Sequence, residues 1–146
     1  MSVKRPESVL VLIVDEQENV LLMQRNDDPD FWQSVTGTME ESELPIQTAY
    51  REVNEETGIR LDDKKHQLID CRIINQYRIR ESWLHRYPHG TEFNDEYVFY
   101  VKVPVGTPVS LSEHTDYQWL PKQAALDLAW SESNRYAIDA FVRDEL

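Results

Sequence analysis

The sequence predicts an α/β fold, a mixed β-sheet held between helical layers as an α/β/α sandwich. Three observations carry that expectation. Strand-like stretches recur along the chain, one clearly bounded helix sits near its middle, and a helical region closes its C-terminal part. At 146 residues the chain is sized for a single domain, 1–146, burying about 68–70% of its unfolded surface around one core.

The elements follow in order. Ser8–Val14 and Val20–Gln24 read as strands joined by a polar turn over Asp15–Asn19. A short segment around Trp32–Val35 leads into an acidic loop. Pro45, a residue favoured at the first helical position, opens a helix that Gly58 closes. Gln67–Ser82, rich in Ile and Tyr, forms a long strand or a bent hairpin arm. Pro88, Gly90 and Asn94 mark Leu84–Asp95 as a loop. Tyr97–Val103 alternates aromatic and aliphatic residues as a strand does, and Tyr117–Leu120 is a short strand. Pro121–Ala129 and Asn134–Asp144 are helical, with Ser133 as N-cap of the second. Trp32, Trp119, Phe141 and Cys71 belong to the core.

Composition narrows the function classes. The net charge of −12 repels a bare phosphate backbone, so no nucleic-acid partner is expected. A small polyphosphate arriving with a divalent cation is a different case, because the metal inverts the local electrostatics. Cys71 is the only cysteine, which excludes an intramolecular disulfide and fits a reducing cytoplasm. The longest aliphatic run, Val9–Val14, falls far short of the ~20 residues that span a bilayer. No basic segment precedes an apolar one in the manner of a secretory signal. The expectation is a cytoplasmic protein, with neither a membrane nor a protein partner implied.

The most informative stretch runs from Gly37 to Ile59, GTMEESELPIQTAYREVNEETGI. It places Glu52, Glu55 and Glu56 in the last helical turn, where offsets of three and four gather them on one face. Each opposes the helix macrodipole by roughly 0.3–1 kcal/mol. The Glu52–Glu56 pair adds roughly 0.2–0.5 kcal/mol of like-charge repulsion. Mg²⁺ offsets such a conflict, since it takes carboxylate oxygens together with substrate phosphates. Mn²⁺ is a possible substitute. The segment reads as a metal platform.

Its spacing, G-x5-E-x7-R-E-U-x-E-E-x-G-U with U a large aliphatic residue, is matched at Gly37, Glu43, Arg51, Glu52, Val53, Glu55, Glu56, Gly58 and Ile59. This resembles the Nudix hydrolases, which hydrolyse a nucleoside diphosphate linked to another group. The resemblance implies the Nudix-type α/β/α sandwich and a phosphoanhydride hydrolase using Mg²⁺. It makes Glu52, Glu55, Glu56, Arg51 and Glu43 the catalytic set. It also implies that the Gly37 carbonyl serves the metal, with glycine allowing an unusual backbone angle and leaving no Cβ in the way. Arg51 is placed to pair with Glu43 and Glu56 and so orient the ligands. Ser42 stands where many members carry glycine, a position suited to positive φ.

A closer resemblance covers nearly the whole chain. Arg25-Asn26-Asp27-Asp28-Pro29-Asp30-Phe31-Trp32-Gln33-Ser34-Val35-Thr36-Gly37 is similar to the segment before the motif in the bacterial dihydroneopterin triphosphate pyrophosphohydrolases. So are Lys4-Arg5-Pro6, Ile69-Asp70-Cys71, His85-Arg86-Tyr87, Glu113-His114, Trp119-Leu120 and Ser133-Asn134-Arg135. Such enzymes cut the triphosphate of a reduced pterin to monophosphate and pyrophosphate, a step toward folate. The resemblance implies Glu113 as an additional metal ligand. It implies substrate contacts at Lys4, Arg25, Thr36, Tyr77, Arg78, Ile79, Arg80 and Ser131. Arg25 suits bidentate phosphate binding, Lys4 adds a point charge, and Tyr77 offers a face to a flat ring. His85, Arg86 and His89 make a basic loop. The motif holds metal and phosphates and never the ring, so a (deoxy)nucleoside triphosphate such as dATP, or a dinucleoside polyphosphate, stays open as substrate. A catalytically dead sensing module is the reading from another class, and the intact glutamates oppose it.

Overall fold

A computed structural model describes residues 3–61 and 68–144 of the chain. Its strands are β1 (Glu7–Asp15), β2 (Val20–Arg25), β3 (Trp32–Gln33), β4 (Val35–Thr38), β5 (Ile69–Arg78), β6 (Phe93–Val103) and β7 (His114–Leu120). The helices are α1 (Pro45–Thr57), α2 (Lys122–Leu128) and α3 (Glu132–Phe141), and a 3₁₀ turn spans Glu81–Arg86. The strands form one sheet in the order β3-β2-β1-β6-β5, with β4 also on β1 and β7 on β2. β1 and β6 run parallel while the other pairs are antiparallel, so the sheet is mixed.

β1 lies at the centre because both of its faces are apolar. Val9, Val11 and Ile13 point one way and join Phe99 and Val101 against Ala49 and Val53 of α1. Leu10, Leu12 and Val14 point the other way and join Val98 against Ala125, Ala137 and Ile138 of α2 and α3. Each such large side chain contributes about 1.5–3 kcal/mol on full burial. Two cores on the two sides of one sheet make the predicted sandwich. Trp32, Trp119 and Phe141 pack in these cores as expected, and Cys71 is half-buried against the second.

Several boundaries differ from the sequence reading, each for a local reason. Ser34 divides the Trp32–Val35 segment into β3 and β4. Its N–H donates to Asn134 Oδ1 at 2.8 Å, and Asn134 Nδ2 donates to its hydroxyl at 2.9 Å. Both residues are fully buried. Replacing Asn134 by Ala strands these groups, at about 2–3 kcal/mol. The unfolding free energy from urea titration is expected to fall by that amount, seen as a lower midpoint with an unchanged slope. A midpoint equal to the wild type would show the contact to be dispensable.

The cap of α3 is Ser131, not Ser133. Ser131 has extended backbone at φ −94° and ψ 147°, and its hydroxyl accepts from Asn134 N–H at 3.2 Å. Ser133 already lies inside the first turn. β6 starts at Phe93 rather than Tyr97, because its alternation continues through polar residues that a hydrophobic pattern cannot reveal. β7 likewise begins earlier than Tyr117, at His114. The far end of the Gln67–Ser82 arm turns into the 3₁₀ segment, while Gln67 lies outside the described residues.

Candidate active site

α1 starts and stops as its sequence demands. Pro45 occupies the first turn, Gln47 Oε1 accepts from Leu44 N–H at 2.9 Å, and Gly58 adopts the left-handed conformation at φ 71°. Ser42 in the preceding loop is also left-handed, at φ 68°.

Arg51 is the organiser of the acidic surface. Nε and Nη2 donate to the two Glu43 oxygens, both at 2.8 Å, in a bidentate fork. Nη1 reaches Glu52 at 2.6 Å and Glu55 at 3.1 Å, and Nη2 also reaches the Thr38 carbonyl at 3.1 Å. The hydrogen bonds from Arg51 hold the Glu43 pKa down at about 2. Arg51 does not pair with Glu56, contrary to expectation. Five residues on, Glu56 projects from another side of the helix.

Glu56 turns inward and meets Glu52. Burial, then the Glu52 charge, pushes the Glu56 pKa up to about 9. Its Oε2 is buried with no hydrogen-bond partner among the described residues. Glu52, 9% exposed, also has a raised pKa from burial, opposed by Arg51. Gly37 lies against this pair. A Cβ there would collide with Cγ, Cδ and Oε2 of Glu52. The expected unusual backbone angle is absent, since Gly37 is not among the positive-φ residues and lies within β4. Glycine is needed for space.

Among the described residues no three His, Cys, Asp or Glu side chains converge into a metal cage. Glu55 is exposed and held by Arg51, and Glu113 is exposed, near enough only for its charge to raise the Glu56 pKa further. The Glu52–Glu56 pair nevertheless suits a hard cation. It offers crowded oxygens, one of them unpartnered, and among the described residues no Lys, Arg or His forms an ion pair with Glu56, although the Arg25 charge reaches it.

β4 is a thin wall between this pair and a cleft of about 890 Å³. Thr36, Gly37 and Thr38 all line the cleft, and the space that a Gly37 Cβ would take is filled by Glu52 of α1. The Thr36 backbone lies close enough to Glu56 to oppose the rise of its pKa, so the two compartments touch. Every residue carried over as a substrate contact lines the cleft: Lys4, Arg25, Thr36, Tyr77, Arg78, Ile79, Arg80 and Ser131. Tyr77 is 45% exposed, yet its hydroxyl end is enclosed and its pKa is pushed up to about 12 by burial. Lys4 has a lowered pKa from burial and from the nearby Arg86 and Arg25. Arg25 carries an ion pair to Asp27 at 2.6 Å.

Sequence reasoning missed other lining residues. Trp130 stacks on Phe31 with ring centroids 4.4 Å apart, and Arg80 sits over both rings and over Trp83 at 5.0–5.7 Å. Arg86 and Arg135 add positive charge, and Asn75 and Glu96 form part of the floor. Of the basic loop only Arg86 lines the cleft, while His85 and His89 stand outside it. No sequence period marks Trp130 or Glu96, because each belongs to a turn or strand end whose neighbours are polar.

A mixed sandwich with acidic residues on α1 beside a basic cleft defines a class. The NUDIX domain matches residues 4–141, and the chain belongs to that family. Members generally use divalent metal ions and act on small-molecule phosphate compounds. The chain is 44% identical over 140 residues to the dihydroneopterin triphosphate diphosphatase of Escherichia coli K12, covering 95% of this chain and 93% of that one. It is 36% identical over 143 residues to the protein of the same name from Haemophilus influenzae, covering 97% and 90%. The solved structure of the E. coli dihydroneopterin triphosphate pyrophosphohydrolase is similar at a TM-score of 0.88 and 43% identity, covering 97% of this chain and 98% of that one.

Proposed function

We propose that this chain is a Mg²⁺-dependent cytoplasmic pyrophosphohydrolase that cuts dihydroneopterin triphosphate to the monophosphate and pyrophosphate. The observation that carries the reading is the cleft, whose lining joins a set of basic side chains to aromatic and polar surface, one strand away from the Glu52–Glu56 pair. The similarity to two bacterial diphosphatases of that name supports it over almost the full chain.

Glu52 and Glu56 would hold the cation, with Glu55, Glu113 and the Gly37 carbonyl as further oxygen donors; Mn²⁺ fits the same donors. When bound there, a divalent cation supplies Lewis-acid polarisation and neutralises phosphate charge. The chain's own residues do the rest. Lys4 and Arg25 draw the triphosphate to the end of the cleft beside β4. Arg51 fixes Glu52 by a charge-assisted bond and opposes the effect of burial on its carboxyl. Without the cation Glu56 keeps a proton that binding of the cation would displace. Tyr77 offers its exposed ring to the flat base.

Product analysis tests the reading. With Mg²⁺, kcat/KM is expected to be highest for dihydroneopterin triphosphate, above dATP and diadenosine polyphosphates, with pyrophosphate released. Preference for dATP, or release of orthophosphate alone, would reject it.

A further inference from the structure

The sheet floor of the cleft carries a polar row that the steps above do not use. Asn75 of β5 pairs across to Glu96 of β6, Glu96 to Ser8 of β1, and Ser8 to Thr38 of β4. All four line the cleft. Two residues further along the same face, Val98 and Leu10 belong to the apolar core. An aliphatic row would have served packing equally well.

Glu96 is the costly member of that row. It is 6% exposed, and among the described residues no Lys, Arg or His forms an ion pair with it. Asn75 Nδ2 donates to Oε1 at 3.3 Å, and the Ser133 side chain stands close enough to the same carboxyl to oppose the rise of its pKa. Two neutral donors leave part of a carboxylate's four acceptor sites open. A buried, uncompensated carboxyl is disfavoured unless something else binds it. The open sites face the cleft.

We propose that Glu96 determines which ring the enzyme accepts, its carboxylate taking the two parallel N–H donors of a 2-amino-4-oxopyrimidine edge. A pterin presents that edge, and so does guanine. Adenine presents a ring acceptor beside its amine, so its lone pair meets the carboxylate instead. The placement suits a long substrate. Two strand spacings, about 10 Å, separate Glu96 from the β4 wall, room for a fused bicyclic ring and a short carbon chain before the phosphates. Asn75 and Ser133 hold the carboxylate in one orientation. Only the identity of the natural ring rests on the function proposed above.

The test compares dihydroneopterin triphosphate, dGTP, dITP and dATP as substrates of the Mg²⁺-loaded full chain. dITP keeps the guanine ring N–H but lacks the 2-amino group, so it reports on the second donor without any mutation. In the wild type, kcat/KM for dGTP is expected to exceed that for dITP by about 10-fold or more. Glu96→Gln presents one acceptor and one donor. It should lower kcat/KM for dihydroneopterin triphosphate by about 10- to 100-fold, largely through KM. It should also bring the dGTP:dITP ratio toward one and raise dATP relative to both. Equal use of dGTP and dITP by the wild type, or an unchanged ratio in Glu96→Gln, overturns the role of Glu96. Wild-type preference for dGTP over the pterin, with dGTP still favoured over dITP and dATP, rejects the pterin substrate while leaving the edge selection standing, whereas preference for dATP over dGTP overturns the role of Glu96.

Discussion

Glu56→Gln is expected to abolish a fall in metal-free stability between about pH 4.5 and 9 and to cut turnover by about 10³-fold. The folded Glu56 pKa stands at about 9 against an ordinary 4.5. Between those values the folded chain retains a proton that the unfolded chain has released. The contribution of Glu56 is therefore full below pH 4.5 and is lost as pH rises, by up to about 1.4 kcal/mol per unit. Sharing of the proton with Glu52 makes that slope a ceiling. Urea midpoints measured in EDTA should fall across this window in the wild type and stay level in the variant. Adding Mg²⁺ should flatten the wild-type curve as well, because a ligated carboxylate needs no proton. The turnover loss corresponds to the several kcal/mol of charge stabilisation that a lost cation site forfeits. A wild-type curve that is already flat in EDTA, or a variant that keeps the slope, would place the titrating group elsewhere.

The central acidic conflict was legible in the sequence, but not which residue carries it. Spacing alone puts Glu52, Glu55 and Glu56 in one turn against the helix dipole. Distances add that Arg51 answers the first two, at 2.6 and 3.1 Å, and leaves Glu56 to a buried environment. A helical wheel cannot show this, since it does not contain β4. The same limit explains Gly37. Its conserved-looking place in the motif suggested backbone freedom, whereas the physical constraint is the Glu52 side chain, which arrives from another element.

The sandwich itself was readable because β1 and the two helical regions announce their faces. Val9–Val14 is apolar on both sides and needs two covering layers. Where burial is polar the pattern falls silent. Asn94 and Glu96 look like loop residues by composition, yet both are buried in β6. Ser34 and Asn134 are separated by 100 residues and settle a strand break and a helix position by hydrogen bonds alone. Lys4, Arg25, Ser131 and the Tyr77–Arg80 group come from four separate parts of the chain and line one cleft.

Gly37→Ala is expected to lower kcat by about 10²-fold or more while leaving KM and the fold nearly unchanged. The new methyl group would occupy the position of Glu52 Cγ and Cδ, and Glu52 must swing away. The colliding atoms lie well out on a side chain, so the backbone of β4 has no need to move. The loss of stability should stay near about 1 kcal/mol. Lys4, Arg25 and the other substrate-contact side chains are not among the atoms that a Cβ at residue 37 would meet, which is why KM should hold. A double-mutant cycle makes the cause visible. If the methyl acts only by expelling Glu52, then Gly37→Ala should cost almost nothing further in a Glu52→Ala background, a coupling equal to nearly the whole effect of the first substitution. Additive losses would mean that residue 37 acts through its own backbone, and full activity in Gly37→Ala would show that Glu52 serves the reaction from a position other than the one it holds against β4.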